Sequence, residues 1–347
     1  LWEVWNEPNI SYWKGTEEEY FKLYDYAADA VKRALPTARI GGPATTGPGW
    51  SKAAGWLQDF LVHCKEGMNG ATGKKGAPLD FISFHAKGSP QFIKDHVQMN
   101  MAPQLNDVAR GFGIVAASSF NTLPIYITEC DPEGCAACGM TTNPENAYRN
   151  GTMYSSYTAA SFTRIYDLAD RYKVNLTGAI SWSFEFEDQK WFDGFRDLAT
   201  NGVDKPVLNV FRMYGKMAGR RVHTAGSDTT VLAVAGRRQL AVMVWNYMDD
   251  DVPGPDMPVR LRVKNFHVGS VKLEHFRIDG DYSNAYEVWK KMGSPATVGG
   301  DAYRKLEESG KLAALPAPER VHVSKEGETT VDVVLPAHSV SLLVWKW

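Results

Sequence analysis

The chain has 347 residues, 44% hydrophobic and 22% charged, which is enough apolar material for one large or two ordinary globular domains. Its 38 Lys and Arg residues against 40 Asp and Glu residues give a formal charge of −2, so no basic field favours nucleic acid or acidic lipid. No apolar run reaches the roughly 20 residues of a transmembrane helix, so we expect a globular protein with neither a nucleic-acid nor a membrane partner.

Short apolar strands alternate with amphipathic helices over the first 217 or so residues. Thr16 and Glu19 form a capping box, which predicts that the first helix begins there and ends before Pro36. Strands joined by helices pair in parallel through right-handed crossovers, so this segment is predicted to be α/β. The predicted strands are 1–5, 38–42, 79–85, 124–129 and 176–186, and the later helices are about 52–65, 92–110, 147–171 and 207–217.

The pattern changes after about residue 219 to alternating runs without helices between most of them. Such runs are typical of an antiparallel β-sandwich, with one shorter helix at 302–311. We therefore predict two domains, 1–218 and 219–347. The predicted strands of the second are 230–234, 240–245, 259–263, 271–278, 330–335 and 339–347.

Three of the four cysteines cluster at Cys130, Cys135 and Cys138, with Cys64 far away. Zinc or an iron–sulfur cluster would need a fourth Cys or His close by, and none follows. Reduced loop cysteines or one local disulfide are the preferred interpretation. Since the chain also lacks a phosphate-binding loop and a dinucleotide fingerprint, we expect neither a metal site nor a cofactor.

Polar residues follow the predicted strands at the edge where parallel α/β enzymes place their reactive groups. They include Asn6, Glu7, His85 and Glu129. Two glutamates facing one cleft suit glycoside hydrolysis, in which one carboxyl protonates the leaving oxygen and the other attacks or activates water. The alternative is that each glutamate only pairs with a Lys or Arg.

Four segments resemble glycoside hydrolase family 39 of clan A: Val4-Trp5-Asn6-Glu7-Pro8-Asn9, Gly41-Gly42-Pro43, Ser83-Phe84-His85 and Ile127-Thr128-Glu129. The resemblance covers nearly the whole chain. It implies a (β/α)8 TIM barrel, with strands four to eight present in this chain and strands one to three missing, followed by a β-sandwich accessory domain. On that count, residues 1–5 are strand four and Glu129 ends strand seven, where the family carries its nucleophile.

The resemblance also implies roles for individual residues. Glu7 would be the general acid/base, Glu129 the nucleophile, Asn6 the partner of the sugar 2-hydroxyl, His85 a substrate contact, and Trp182 a ring stacked on the cleaved sugar. Separately, Glu185 and Glu187 stand on one face of the predicted last strand, so we expect one of them to bind sugar hydroxyls.

Lys87 makes the substrate class ambiguous. The sequences His85-Ala86-Lys87-Gly88 and Glu129-Cys130-Asp131-Pro132 look more like the α-L-iduronidase side of the family, where a lysine can pair with a uronic acid carboxylate. The alternative is that Lys87 lies on a solvated loop.

We therefore predict a retaining glycoside hydrolase, an exo-acting β-xylosidase that cleaves xylo-oligosaccharides by double displacement. An α-L-iduronidase or another uronic-acid glycosidase of the same family is one alternative, and a non-catalytic carbohydrate-binding protein is another. The expected partner is an oligosaccharide substrate. The oligomeric state is left open. The cellular location is also left open between the bacterial cytoplasm and the periplasm, because any signal peptide would precede Leu1.

Overall fold

The structure is a computed structural model that describes residues 1–226, 230–316 and 320–347. These residues form two compact units, each built from several stretches of chain. The first comprises residues 1–89, 100–134 and 164–182, and the second comprises residues 90–99, 135–163 and 183–347. The predicted division into residues 1–218 and 219–347 stays a prediction.

Helices and strands alternate in the first half of the chain, and strands dominate the second half. The strands are β1 (Trp2–Glu3), β2 (Ile40–Thr45), β3 (Phe81–Lys87), β4 (Gln91–Ile93), β5 (His96–Gln98), β6 (Pro124–Asp131), β7 (Asn175–Ala179), β8 (Ala199–Thr200), β9 (Val203–Asp204), β10 (Arg220–Arg221), β11 (Val231–Gly236), β12 (Gln239–Trp245), β13 (Met257–Val263), β14 (Ser270–Ile278), β15 (Ala313–Leu315), β16 (Val321–His322), β17 (Thr329–Leu335) and β18 (Val340–Lys346). The helices are α1 (Glu17–Ala34), α2 (Ser51–Glu66), α3 (Ala102–Ala117), α4 (Thr152–Tyr172), α5 (Pro206–Gly215), α6 (Ala285–Lys291), α7 (Gly300–Gly310) and a 3₁₀ helix at Pro144–Asn150.

A parallel sheet forms the centre of the first unit, in the order β1, β2, β3, β6 and β7. The predicted α/β character is confirmed, and closure of the sheet into a barrel stays a prediction. Strand β3 is buried along nearly its whole length, as a central parallel strand requires. Helix α1 begins at the predicted capping box, in which Glu19 N donates to Thr16 Oγ1 and Thr16 N donates to Glu19 Oε2.

Two predicted elements of the α/β segment differ from the structure. Residues 92–98, predicted as the start of a helix, lie in the β4–β5 hairpin, and α3 begins only at Ala102, where Pro103 suits the first helical turn. The last predicted strand, 176–186, is much shorter in the structure, where β7 ends at Ala179. Ile180 makes the last backbone hydrogen bonds to β6. After Ile180 the backbone forms local hydrogen bonds, such as that from Leu198 N to Phe184 O. The alternating polar and aromatic residues at 181–187 therefore do not belong to a strand.

The second unit contains the predicted antiparallel strands. Among its described residues, one sheet runs β10, β11, β12, β18, β14 and β15, with β16 also paired to β14, and β13 pairs with β17. The inward side chains of both sets, including Val333, Leu343 and Trp345, form one apolar core. Helix α6, which the sequence did not predict, packs with α7 around Phe192 and Leu306.

In the described part of the chain, no helix combines the length and the apolar character needed to cross a membrane.

Candidate active site

Glu7 is placed by an abrupt change of backbone direction after β1. Trp5 and Glu7 both adopt positive φ angles, 72° and 47°, and the amide of Glu7 donates to Ala44 O at 2.9 Å. Positive φ is costly for residues other than glycine and marks positions that the surrounding structure holds in place. The turn therefore fixes the glutamate at the carboxyl edge of the sheet.

His85 links the two predicted catalytic glutamates. Its Nδ1 lies 2.8 Å from Glu7 Oε1 and 3.9 Å from Glu129 Oε1. The imidazole is 1% exposed, whereas the two carboxylates keep 14% and 21% of their side-chain surface. Both glutamates thus approach the same nitrogen of one buried ring and remain partly exposed to solvent, an arrangement that leaves them accessible to a ligand.

Sheet register explains why the polar residues of β3 and β6 meet. In the β3–β6 ladder His85 stands opposite Glu129 and Lys87 opposite Asp131, after an irregularity at Phe84. Because side chains alternate along a strand, both residues of each strand lie on one face. The result is a row of four polar side chains at the ends of two neighbouring strands.

Lys87 forms ion pairs with both acidic residues of that row. Its Nζ lies 2.7 Å from Glu129 Oε2 and 2.7 Å from Asp131 Oδ2. The Asp131 side chain is fully buried and also accepts a hydrogen bond of 2.7 Å from Ser181 Oγ. Lys87 is therefore the last residue of β3 and not part of a solvated loop, so that alternative interpretation was wrong.

Asp131 and Ser181 were not predicted as site residues. The signal for Asp131 was present, because it lies two positions after Glu129 and thus on the same face of β6. Ser181 gave no comparable signal, since it lies beyond the end of β7, where strand alternation no longer applies.

The other predicted ligand residues are divided between the two units. In the first, Asn6 is exposed and Trp182 is 49% exposed. In the second, Glu185 Oε1 accepts a hydrogen bond of 2.7 Å from Gly202 N, and Glu187 is exposed. The roles of all four in substrate binding stay predictions.

The cysteines form one local disulfide, between Cys135 and Cys138. Cys64 and Cys130 are buried thiols, and burial raises the pKa of both well above the usual range, so neither is a ready nucleophile. Residues 1–226, 230–316 and 320–347 contain no group of three or more His, Cys, Asp or Glu side chains with the geometry of a metal site.

Comparison with known proteins places this site in context. The sequence profile of Glycosyl hydrolases family 39 matches residues 1–327. A β-xylosidase from Caldicellulosiruptor saccharolyticus is 28% identical over all of this chain and 68% of its own length, and an α-L-iduronidase from Homo sapiens is 32% identical over 91% of this chain and 52% of its own.

The comparison with solved structures also finds a β-xylosidase. The crystal structure of a monomeric β-xylosidase from Caulobacter crescentus CB15 matches with a TM-score of 0.77 at 25% identity, over 99% of this chain and 69% of that one.

Proposed function

Because this chain belongs to the glycosyl hydrolases of family 39, we propose that it is a retaining, exo-acting β-xylosidase that cleaves xylo-oligosaccharides. The observation that carries the proposal is that Glu7 and Glu129 both approach the same nitrogen of His85, at 2.8 and 3.9 Å. The β-xylosidase from Caldicellulosiruptor saccharolyticus, matched over the whole of this chain, supports the choice of substrate.

The proposed reaction is a double displacement. Glu129 attacks the anomeric carbon while Glu7 protonates the departing oxygen, and Glu7 then acts as a base that activates water to release the sugar. This mechanism expects the carboxyl groups to be about 5 to 5.5 Å apart. The Oε1 atoms of Glu7 and Glu129 lie 2.8 and 3.9 Å from the same atom, His85 Nδ1, and this shared contact limits how far apart the two carboxyl groups can be.

His85 and Lys87 would serve different glutamates. His85 contacts Glu7 most closely and would hold its carboxyl group in one orientation through both proton transfers. Lys87 would hold the carboxylate of Glu129 in place for its attack, because its ammonium group lies 2.7 Å from Glu129 Oε2.

The charges of the site favour a neutral sugar. Three carboxyl groups, those of Glu7, Glu129 and Asp131, surround the Lys87 ammonium and the His85 imidazole. A uronic acid would add a carboxylate that would be repelled by those of Glu129 and Asp131 and would compete with both of them for Lys87. A xylose residue carries only hydroxyl groups and adds no charge.

A second candidate is an α-L-iduronidase, which the presence of Lys87 at the site favours together with the human relative of that name. An ammonium group has three N–H donors, and two carboxylates already contact this one. The third donor could contact a substrate carboxylate, so the choice between the two substrates needs a direct test.

The test is the hydrolysis of 4-nitrophenyl β-xyloside and of the corresponding α-L-iduronide, with the first-formed anomer followed by proton NMR. We expect xyloside cleavage with release of the β anomer, and a loss of at least about 100-fold in kcat for Glu7→Gln and more for Glu129→Gln. Glu66→Gln, at the end of α2, is the matched control. Iduronide cleavage alone would select the second candidate, and turnover of neither would favour a non-catalytic carbohydrate-binding protein.

A further inference from the structure

Among the described residues, no strand pairs with the amide of Lys87 on one side of the sheet. Strand β2 ends at Thr45, whose partner in β3 is Phe84, so β3 runs three residues farther. On the β6 side, Gly88 N donates to Asp131 O at 3.2 Å. Lys87 N points the other way and donates to Asp107 Oδ2 at 3.1 Å, so a side chain from α3 takes the place of the missing strand.

The second oxygen of the same carboxylate holds the loop between β2 and α2. Gly49 N donates to Asp107 Oδ1 at 2.9 Å. A Cβ atom at Gly47 would collide with the carboxylate, and one at Gly49 would lie 2.5 Å from Oδ1. Glycine at both positions lets the loop close around Asp107 without displacing its carboxylate.

The other end of this loop is tied to the strand end that carries Glu7. Asn9, which is 1% exposed, donates through Nδ2 to Thr46 Oγ1 at 2.7 Å and accepts at Oδ1 from Thr46 N at 3.0 Å. A continuous path of hydrogen bonds and short loop therefore joins Asn9, two residues after Glu7, to Asp107 and the backbone of Lys87.

We propose that Asp107 is a positioning residue of the active site, which fixes the backbone of Lys87 and thereby the ammonium group that contacts Glu129 and Asp131. This rests on the proposed function, because it concerns the same site. Asp107 does not need to touch the substrate. It acts by holding the strand end from which Lys87 extends and by joining that end to the loop anchored at Asn9.

The ionisation of Asp107 is consistent with this task. Burial raises the pKa of Asp107 to about 6, while the two backbone N–H donors, from Lys87 and Gly49, act in the lowering direction. The ionised carboxylate accepts at both oxygens. An amide at this position would turn an N–H toward one of the two backbone donors, so that one of the anchors would be lost.

The first arm of the test measures glycoside hydrolysis by Asp107→Asn, Gly49→Ala and Lys87→Met variants of the protein. We expect kcat to fall at least 10-fold in Asp107→Asn, with KM changed less than twofold, and Gly49→Ala to lower kcat in the same way. Arg110→Ala, exposed one turn farther along α3, is the matched control and should retain the original kcat. Because Asp107 would act through Lys87, adding Asp107→Asn to Lys87→Met should lower kcat no further.

A multiplicative effect in that double variant, or an unchanged kcat in Asp107→Asn, would overturn the proposal. A second arm needs no substrate and separates this failure from a failure of the proposed function. In urea unfolding, the midpoint shift of the double variant should be smaller than the sum of the shifts of Asp107→Asn and Lys87→Met. Additive shifts would show that the two residues are independent, whatever glycoside the protein cleaves.

Discussion

Replacing Lys87 by methionine is expected to destabilise the protein as well as to reduce its activity. Methionine preserves most of the volume of the side chain but removes the ammonium group from Glu129 and Asp131, both of which lie 2.7 Å away. Asp131 is fully buried and Glu129 is 21% exposed. The substitution thus leaves two neighbouring carboxylates without their shared cation, one of them shielded from water.

The contacts of these carboxylates set the size of the effect. Removing one partner of a buried ion pair costs about 3 to 5 kcal/mol of unfolding free energy. Asp131 keeps the hydrogen bond from Ser181 at 2.7 Å, and Glu129 keeps part of its hydration. We therefore expect a loss of about 2 to 4 kcal/mol of unfolding free energy at pH 7, somewhat less than for a fully buried pair.

Urea unfolding followed by tryptophan fluorescence measures this loss. The double variant Lys87→Met/Asp131→Asn should recover at least about 1 kcal/mol relative to Lys87→Met, because the buried charge is gone while the Ser181 contact can persist. Lys311→Met, which breaks an exposed pair with Glu308, is the control and should leave the urea midpoint close to that of the parent. A Lys87→Met variant within about 0.5 kcal/mol of the parent, the spread of an ordinary surface substitution, would refute the ion-pair argument.

Three further predictions concern ionisable groups that are buried or partly buried. Burial raises the pKa of Asp107 to about 6, so the folded state binds this proton more tightly than the unfolded state does. The contribution of that proton to the unfolding free energy is complete below the ordinary pKa of 3.8 and is lost as the pH rises through 6. Asp107→Asn should remove this slope from urea midpoints measured between pH 4 and 7. Burial lowers the pKa of His275 to about 4. The contribution of the neutral imidazole to the unfolding free energy is therefore present above pH 6.5 and is lost as the pH falls toward 4. His275→Gln should abolish this trend in the same titration. Lys205→Met leaves Asp197 buried without its ion-pair partner and should cost about 3 to 5 kcal/mol in urea unfolding, and a loss below about 1 kcal/mol would contradict this.

The residues that meet across β3 and β6 could be predicted because two simple regularities place them. Strand alternation puts His85 with Lys87 and Glu129 with Asp131, and parallel pairing brings the carboxyl ends of neighbouring strands to one edge. The sequence therefore indicates which side chains can meet. It does not indicate that Lys87 bonds both acids at once, because that depends on side-chain conformations in three dimensions.

Asp107 shows why other parts of the site could not be predicted. It lies within α3. The periodicity of apolar residues predicts this helix but does not predict the contacts of a polar residue on it. Its importance depends on β2 ending three residues before β3, a difference in strand length that no local pattern encodes. The β4–β5 hairpin was mispredicted for a related reason. The apolar residues of this stretch, Phe92, Ile93 and Val97, fit a helix as well as a hairpin, and α3 begins only beside Pro103.

The contacts of Lys87 also change how the substrate question has to be asked. A Lys87→Met variant that loses iduronide cleavage would not establish a uronic-acid site, because the same change disturbs Glu129 and should lower kcat for any substrate. The informative quantity is the ratio of kcat/KM for the two glycosides, in which the damage common to both cancels. If Lys87 only organises Glu129 and Asp131, Lys87→Met and Lys87→Arg should lower kcat/KM for both glycosides by similar factors and leave the ratio within about threefold. If its third donor binds a substrate carboxylate, Lys87→Met should cut iduronide cleavage by at least a further 10-fold, as expected for the loss of a charged hydrogen bond worth about 1.5 to 3 kcal/mol. The charges around Lys87 favour the first outcome, since an ammonium shared by two carboxylates has little attraction left for a third.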